Sequence, residues 1–341
     1  MKTNSFRVAL FLLAAFAAFD SASAQFTKIN GAGSTFAARI MERWSEDFAN
    51  ANPNVQIIYL PVGSGTGITS FTDGIVDFAA SDAAMSDEQI GQVKQGVVLI
   101  PFTAGSIVLA YNVPGVENLK LSREAYSRIF LGQITKWNDP SIAKTNEGTK
   151  LPDMPITIGE RSDSSGTTFV FTKHLSAISP DFKSQVGEGT TVKWPTGVTA
   201  KGNGGVARLV KQTPGAIGYI EYGCAKENKL SFAQLENKSG SFVTATTESG
   251  AATLNATQFP SDNLRAWPSD PENKDAYPIT TFSWFLLHRK YEKKEVWEAL
   301  KKFISYGLSN GQKTANELDY IPLPKDVVGK CEAALGSIEQ H

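Results

Sequence analysis

The sequence predicts an α/β protein that folds into two lobes with open sheets. Short β-rich runs, among them VQIIYLPVG, GVVLIPF and AIGYIEY, alternate along the chain with helix-like stretches. In one such stretch Ile40, Trp44 and Phe48 recur at the spacing of one helical face. A second, near the C-terminus, repeats the pattern and predicts a helix that stops at Gly311. This alternation favours βαβ units, and 341 residues suit two domains of roughly 100–200 residues each.

The first 24 residues have the pattern of a secretory signal peptide. Lys2 and Arg7 form a positively charged start, an uncharged run spans 8–19, and the small residues SASA precede Gln25. The uncharged run is shorter than the ~20 residues that a membrane span requires. No cysteine stands at the cleavage point to carry a lipid anchor. We therefore expect cleavage after Ala24 and export of the remaining chain.

Charge and cysteine content narrow the class of protein further. The formal net charge of −1 gives no sign of the basic face that nucleic-acid-binding proteins carry, so no nucleic-acid partner is expected. Cys224 and Cys331 lie far apart in the sequence, and export permits a disulfide between them. Two cysteines without a CxxC motif form neither a disulfide framework nor a zinc or redox motif. A disulfide and two buried thiols both remain open, and buried thiols are the simpler interpretation.

Three clusters of glycine, serine and threonine each follow a strand-like run and precede a helix-like one. They are GAGSTF at 31–36, GSGTG at 63–67 and SDSSGTTF at 162–169. In open α/β sheets, ligands bind beyond the carboxyl ends of the strands. Helix N-termini there offer free N–H groups and a positive dipole end, which suit an anion. Helix N-capping explains any one cluster equally well, but three in parallel favour an anion site.

Charged residues in and beside these clusters are candidates for the anion site. Arg161 precedes the third cluster, and its planar guanidinium suits phosphate-like oxyanions. The alternative for Arg161 is a surface ion pair with Asp163, and the two interpretations are compatible, since Asp163 could hold the guanidinium in place. Asp82, in FAASDAAMSD, is useful beside an anion only if the anion carries a proton for it to accept. Its alternatives are a helix N-cap for AAMSDEQI and a surface carboxylate.

Signatures of enzymes and of metal sites are missing from the sequence. It has no GxxxxGK[ST], HExxH, GxSxG or EF-hand motif, and GAGSTF lacks the third glycine of the dinucleotide fingerprint. His174 lies in an amphipathic run, and His288 ends an apolar strand where a structural role is expected. No group of His, Cys or carboxylates has metal-ligand spacing. Nothing in the sequence points to a cofactor or metal site or to a Ser–His nucleophilic pair, although such a pair stays open at this point.

An ordered set of motifs resembles the periplasmic phosphate-binding proteins of Pst-type phosphate ABC transporters. The matching segments are GAGSTF, VGSG, DFAASDAAMSDEQ, LGQITKWNDPSIAK, RSDSSGTTFVFT, TVKWPTG, KGNGGVARLVKQTPGAIGYIEY and NELDYIPLP. They keep the family's order from Gly31 to about residue 330. The resemblance implies a two-lobed periplasmic-binding-protein fold, with an open mixed sheet flanked by helices in each lobe and the ligand in the cleft between them.

The same resemblance implies roles for residues in the first two clusters and for Asp82. Thr35 and Phe36 fall at the family's first phosphate loop, where backbone and hydroxyl groups are donors. Ser64 falls at the second loop. Asp82 matches the carboxylate that accepts the proton of phosphate.

The third cluster matches the family's third phosphate loop. Arg161 corresponds to the arginine that faces phosphate, and Asp163 to its orienting partner. Ser165, Gly166 and Thr167 correspond to the remaining donors at a helix start.

Three positions differ from the family pattern. Ser34 stands at a position of alanine, Gly65 at a position of a second serine, and Ser164 at a position of glycine. Of these, Ser164 raises a question, because it places a side chain in a tight turn.

The resemblance also implies the domain organisation and the partners. Residues 25–103 plus 281–341 would form lobe one and 104–280 lobe two, with crossings near 100–105 and 278–283. The expected function is capture of inorganic phosphate in the periplasm, as a monomer, and its delivery to a membrane ABC permease. The resemblance thus implies a binding protein without a cofactor or metal, and not an enzyme. A binder of another oxyanion and a secreted phosphatase remain alternatives.

Overall fold

The computed structural model describes residues 26–260, 264–268 and 270–340. The predicted signal peptide and its predicted cleavage point lie outside these ranges. The strands are β1 (Thr27–Gly33), β2 (Val55–Leu60), β3 (Phe78–Ser81), β4 (Val97–Tyr111), β5 (Lys120–Leu121), β6 (Thr157–Arg161), β7 (Val198–Ala200), β8 (Ala216–Glu221), β9 (Ser231–Phe232), β10 (Gln234–Glu236), β11 (Phe242–Val243), β12 (Thr280–His288), β13 (Lys290–Tyr291) and β14 (Glu339–Gln340).

Helices connect most of these strands. They are α1 (Ala38–Ala51), α2 (Ser64–Thr72), α3 (Asp87–Gln92), α4 (Arg123–Phe130), α5 (Pro140–Ala143), α6 (Gly166–Ile178), α7 (Pro180–Gln185), α8 (Gly202–Gln212), α9 (Tyr222–Glu227), α10 (Thr247–Leu254), α11 (Lys294–Leu308), α12 (Gly311–Glu317) and α13 (Lys325–Gly336). No helix in the described part of the chain combines the length and the apolar character that a membrane span needs.

Nine strands form one continuous mixed sheet in the order β2-β1-β3-β12-β4-β8-β6-β7, with β9 also paired to β4. β1 is parallel to both β2 and β3, and β6 is parallel to both β7 and β8. β12 is antiparallel to β3 and β4. The prediction of an α/β fold with open mixed sheets is confirmed.

The long strand β4 joins the two halves of this sheet. All 15 of its residues are buried. Its residues 97–106 pair with β12, and its residues 107–111 pair with β8. Between Ser106 and Ile107 the chain therefore leaves the half-sheet β2-β1-β3-β12 and enters the half-sheet β8-β6-β7.

Helix α1 forms because its apolar side chains lie on one face, as predicted. Ile40, Trp44 and Phe48 are buried, and the Trp44 ring packs edge-on against Phe102 of β4, 5.8 Å away. Trp44 Nε1 also donates a hydrogen bond of 3.0 Å to the carbonyl of Gly311. These contacts fix α1, and therefore the loop before it, against the sheet.

The predicted end of the C-terminal helix at Gly311 is wrong. Helix α11 ends at Leu308, and Gly311 is the first residue of α12. A Cβ atom at Gly311 would lie 2.6–2.9 Å from atoms of the Trp44 indole. Glycine is present there because the indole packs against the backbone.

The two cysteines are buried free thiols in this structure. Cys224 lies on α9 and Cys331 on α13. Burial raises the pKa of each thiol to about 12. Of the two possibilities left open by the sequence, the structure contains the buried thiols.

Candidate anion-binding site

The loops at the carboxyl ends of β1, β2, β3 and β6 meet at one junction between the two half-sheets. Asp82, directly after β3, accepts a hydrogen bond of 2.6 Å from the Ser34 hydroxyl after β1. Its backbone N–H donates to Ser64 Oγ over 3.2 Å. From the other half-sheet, Arg161 Nη2 donates to Thr35 Oγ1 over 3.0 Å. The three predicted clusters therefore do come together.

Helix N-termini point into this junction from both half-sheets. Ser34 Oγ accepts from the N–H of Ala37, one residue before α1, over 3.0 Å. Ser165 caps α6 and accepts from the Thr168 N–H over 3.0 Å. Gly63 precedes α2 with φ = 101°, a conformation that favours glycine. First-turn N–H groups have no partner within their own helix, so the junction presents donors to a ligand.

Arg161 and Asp163 form a buried pair at the start of the third cluster. Arg161 Nε donates to Asp163 Oδ1 over 2.8 Å, and Nη2 donates to Oδ2 over 2.5 Å. Gly202 N–H also donates to Asp163 Oδ1, over 2.9 Å. Burial alone would raise the pKa of Asp163, but Arg161 and the Gly202 N–H together lower it below its ordinary value. This buried pair excludes the alternative of a surface ion pair.

One nitrogen of the Arg161 guanidinium differs from the other two. Arg161 Nη1 is buried and has no hydrogen-bond partner among the described residues. An unmade bond at a buried cationic donor is costly. The arrangement therefore fits a ligand that supplies an acceptor at Nη1.

Asp82 has a different environment. It is 1% exposed, and its Oδ1 accepts from the hydroxyls of Ser34 (2.6 Å) and Ser283 (2.7 Å). Burial raises its pKa to about 6, although both hydroxyls and the charge of Arg161 act in the opposite direction. The proposed N-cap role is excluded, because Ser86 caps α3 through a capping box. The surface alternative is excluded by its burial.

The second carboxylate oxygen of Asp82 faces the start of α6. A Cβ atom at Gly166 would lie 2.9 Å from Asp82 Oδ2 and 2.4 Å from Ser64 Oγ. Gly166 therefore allows the helix to approach both residues. Thr167, the next residue, is 1% exposed.

Sequence reasoning missed Asn203, which bridges the two half-sheets. Its Nδ2 donates to Thr35 Oγ1 (3.0 Å) and to Thr167 Oγ1 (3.2 Å). Its Oδ1 accepts from the N–H of Glu221 over 2.9 Å. Asn203 belongs to the segment KGNGGVARL that carries the resemblance, and this polar residue between glycines at a helix start was the available signal.

Phe36 lies at the junction chiefly through its backbone and packing. Its carbonyl accepts a hydrogen bond of 2.5 Å from the Tyr320 hydroxyl. The two rings meet edge-on at 6.1 Å. The phenyl ring is 1% exposed and forms part of the core.

The differences at Gly65 and Ser164 belong to one contact. A Cβ atom at Gly65 would lie 1.8 Å from Ser164 Oγ. Gly65 N–H donates to the Ser164 carbonyl over 3.0 Å, and Ser164 Oγ donates to Thr190 Oγ1 over 2.9 Å. The side chain at 164 is therefore accommodated because position 65 has none.

The histidines and the acidic residues form no metal site in the described ranges. No three His, Cys, Asp or Glu side chains there lie close enough together to hold a metal ion. His174 Nε2 is 2.8 Å from the Tyr126 hydroxyl, and burial lowers its pKa to about 3. His288 ends β12 with its ring stacked on Phe71 at 4.1 Å. Both rings have structural contacts.

Comparison with known proteins defines the class and then the family. A family model described as "PBP superfamily domain" matches residues 20–310. Phosphate-binding protein PstS of Pasteurella multocida is 41% identical over 308 residues, 89% of each chain. PstS of Methanocaldococcus jannaschii is 37% identical over 324 residues, 88% of this chain and 83% of the relative. The chain belongs to the PBP superfamily and, within it, to the family of PstS phosphate-binding proteins. The resemblance drawn from the sequence is confirmed.

Solved structures share the fold at lower identity. The phosphate-binding protein from Stenotrophomonas maltophilia aligns with a TM-score of 0.70 at 20% identity, covering 90% of this chain and 93% of that one. An ancestral soluble variant of the human phosphate-binding protein aligns with a TM-score of 0.76 at 19% identity, with the same two coverages. These alignments support the fold alone.

Proposed function

We propose that this protein binds inorganic phosphate at the junction and delivers it to a membrane ABC permease for import. The observation that carries the proposal is that Arg161 Nη1, a buried donor without a partner among the described residues, lies at the same junction as the buried carboxylate of Asp82. An oxyanion satisfies the first, and only an oxyanion that keeps a proton satisfies the second. Phosphate at neutral pH has both properties. Relatives that are named phosphate-binding proteins support the same function.

Within this proposal each predicted residue has a role. Arg161 binds a phosphate oxygen, Asp163 orients the guanidinium, and Asp82 accepts the phosphate proton. The remaining donors are the hydroxyls or backbone N–H groups of Thr35, Phe36, Ser64, Ser165, Gly166 and Thr167.

Calorimetric titration of the purified protein with phosphate, arsenate and sulfate tests the function. Phosphate and arsenate should bind, because both keep a proton at neutral pH, and sulfate should bind far more weakly. Sulfate binding as tight as phosphate binding would favour the alternative of a general oxyanion binder. A phosphate-ester turnover assay on the same protein tests the alternative of a phosphatase, and we expect no turnover.

We further propose that the two half-sheets are the cores of two lobes that close on the ligand. The exchange of partners at Ser106 and Ile107 and the start of β12 at Thr280 support crossings close to the predicted boundaries. Donors from both half-sheets must converge on one small anion, which favours a hinge motion. Small-angle scattering should show a more compact particle with phosphate than without. Identical profiles would contradict closure.

The predicted signal peptide supports a site of action outside the cytoplasm. We propose that the mature chain begins at Gln25 and acts as a monomer in the periplasm. A solved neighbour is itself described as a periplasmic phosphate-binding protein. Mass spectrometry of the exported protein would give the mature N-terminus, and scattering mass would give the oligomeric state.

A further inference from the structure

Two serine hydroxyls converge on a single oxygen of Asp82. Ser34 Oγ donates to Asp82 Oδ1 over 2.6 Å and Ser283 Oγ donates to the same atom over 2.7 Å. All three side chains are buried, with exposures of 0–1%. Ser34 follows β1 and Ser283 lies on β12, so the two donors reach the carboxylate from separate strands.

Local backbone structure directs each hydroxyl proton at the carboxylate. The Ala37 N–H donates to Ser34 Oγ over 3.0 Å, which leaves the Ser34 proton free for Asp82. The pairing of β12 with β4 shifts register between Ser283 and Trp284. Irregularities of this kind re-aim side chains, and here one lies at the residue that meets Asp82.

Occupation of Oδ1 has a chemical consequence. With two donors on Oδ1, a proton bound by Asp82 must reside on Oδ2, the oxygen that lies against Gly166 at the start of α6. Ionised Asp82 therefore presents an acceptor to the ligand, and protonated Asp82 presents a donor. An acceptor suits an anion that keeps a proton, whereas a donor suits a fully ionised anion such as sulfate.

We propose that Ser34 and Ser283 are specificity-determining residues that keep Asp82 ionised and so set the pH below which the site admits fully ionised oxyanions. This inference rests on the proposed phosphate-binding function. It assigns the selectivity of Asp82 in part to residues that need not touch the ligand.

Other ionisable groups near Asp82 are consistent with this role. Arg161 lowers the pKa of Asp82, while burial raises it to about 6. Tyr59 and Tyr320 donate their hydroxyls to the carbonyls of Ser34 and Phe36. Burial, with a contribution from the charge of Asp82, raises the pKa of both tyrosines well above the ordinary value, so both stay neutral. The two serine hydroxyls are therefore neighbours whose removal changes the protonation of Asp82 without removing a charge.

The test is sulfate affinity measured by calorimetry from pH 5 to pH 8. Sulfate carries no proton in this range, so any titration belongs to the protein. Wild-type affinity for sulfate should rise as the pH falls through about 6. Ser34→Ala and Ser283→Ala should each move the midpoint of this rise upward by about one pH unit, since each removes a hydrogen bond to a charged group. Asp82→Asn should remove the pH dependence.

Ser81→Ala is the matched control. Ser81 is buried beside Asp82, but its hydroxyl donates to the Ala83 carbonyl. The sulfate affinity of Ser81→Ala should vary with pH as that of the wild type does. Thermal unfolding should show that every variant is folded. Superimposable profiles of Ser34→Ala, Ser283→Ala and wild type would overturn the inference, as would absence of sulfate binding at pH 5 in all of them.

Phosphate titration at pH 8 on the same samples separates this inference from the proposed function. Wild-type protein that binds phosphate while the serine variants show no shift contradicts only the role of the serines. Wild-type protein that fails to bind phosphate overturns both proposals.

Discussion

Asp82 and Asp163 are buried on opposite sides of one junction and are held by different kinds of partner. Asp163 accepts from the guanidinium of Arg161, two residues earlier at the end of β6. Asp82 Oδ1 accepts from two neutral hydroxyls on distant segments, Ser34 after β1 and Ser283 on β12. Burial acts to raise the pKa of both. For Asp163, Arg161 and the Gly202 N–H outweigh burial and lower the pKa, whereas for Asp82 burial outweighs the hydroxyls and raises the pKa to about 6.

The difference explains how a site with two carboxylates can favour an anion. Asp163 already pairs with Arg161, so the arginine adds little net positive charge and acts through directional donors. Fixed donors in a water-excluded site stabilise negative charge without any reorganisation. In our proposal, Asp82 then discriminates among anions by accepting a hydrogen bond from those that keep a proton. One aspartate would therefore support binding, and the other selectivity.

The largest expected effect comes from Asp82→Asn. A site built around a ligand O–H rejects analogues without it by roughly 10⁴–10⁵-fold, or about 5.5–7 kcal/mol. The asparagine Oδ1 can keep the hydroxyls of Ser34 and Ser283, which turns its NH₂ toward the ligand. We expect the ratio of phosphate affinity to sulfate affinity to fall by most of this factor, chiefly because the variant binds sulfate. Competition titration of both anions at fixed pH and salt measures it.

Asp163→Asn is the comparison variant for that experiment. Asp163 contacts Arg161 and Gly202, and it has no proton-accepting role toward the ligand in our proposal. It should weaken phosphate and sulfate together and leave their ratio unchanged. Equal ratios in Asp82→Asn and wild type would show that selectivity arises elsewhere.

The next effect is that of Arg161→Ala. A charge-assisted hydrogen bond contributes about 1.5–3 kcal/mol, so loss of one should weaken phosphate binding by roughly 10- to 150-fold. Arg161→Lys keeps the charge without the planar fork and should lose less. Titration calorimetry of both variants gives the order of their phosphate affinities, and thermal unfolding shows whether each is folded.

Removal of Arg161 also leaves Asp163 as an unpaired buried carboxylate, which is destabilising. The double variant Arg161→Ala/Asp163→Ala should recover stability without recovering phosphate affinity. Unchanged affinity in a folded Arg161→Ala variant would remove Arg161 from the site.

The contrast between the aspartates also shows what sequence can predict. Arg161 and Asp163 are neighbours in sequence, so their pairing could be expected from local pattern. The helical face of α1 and the three clusters at strand ends were predictable for the same reason. Asp82 was one candidate among alternatives from the sequence, the family resemblance favoured its place at the site, and the alternatives could be excluded only by the fold.

The rest of the site depends on contacts between distant segments. Ser283 meets Asp82 because β12 inserts between β3 and β4, a pairing that no local periodicity encodes. Asn203 reaches Thr35 across the two half-sheets. Gly311 was mistaken for a helix end because its packing partner, Trp44, is remote in sequence.

Gly65→Ser should have a smaller effect, exerted across the junction. A Cβ atom at Gly65 would overlap Ser164 Oγ, and overpacking typically costs about 1–3 kcal/mol. Because the contact joins loops from the two half-sheets, we expect weaker phosphate binding through impaired closure. Gly65→Ser/Ser164→Gly should restore affinity, and Ser164→Gly alone should bind as the wild type does. Failure of the double variant to recover would mean that the two positions act independently.

The effect with the least bearing on ligand binding concerns a third buried carboxylate, Glu221. Glu221 resembles Asp82 in accepting hydrogen bonds from neutral donors. It accepts from the N–H groups of Gly223 and Cys224, and burial raises its pKa from 4.5 to about 7. Between those pH values the folded protein holds a proton that the unfolded chain has released. Its contribution to stability therefore falls as pH rises through this window.

Glu221→Gln cannot titrate, so it should lack this loss. The glutamine amide has one acceptor oxygen in place of two, and the resulting loss of stability does not vary with pH. Only the change of the stability difference with pH is therefore informative. We expect the free energy of unfolding of the variant, relative to wild type, to rise by about 2–3 kcal/mol from pH 5 to pH 8. Denaturant unfolding at both pH values measures it, with Glu147→Gln at the surface as the control for removal of a charge. A difference that stays constant with pH would mean that Glu221 is ionised throughout, held by its two N–H donors much as Asp163 is held by Arg161.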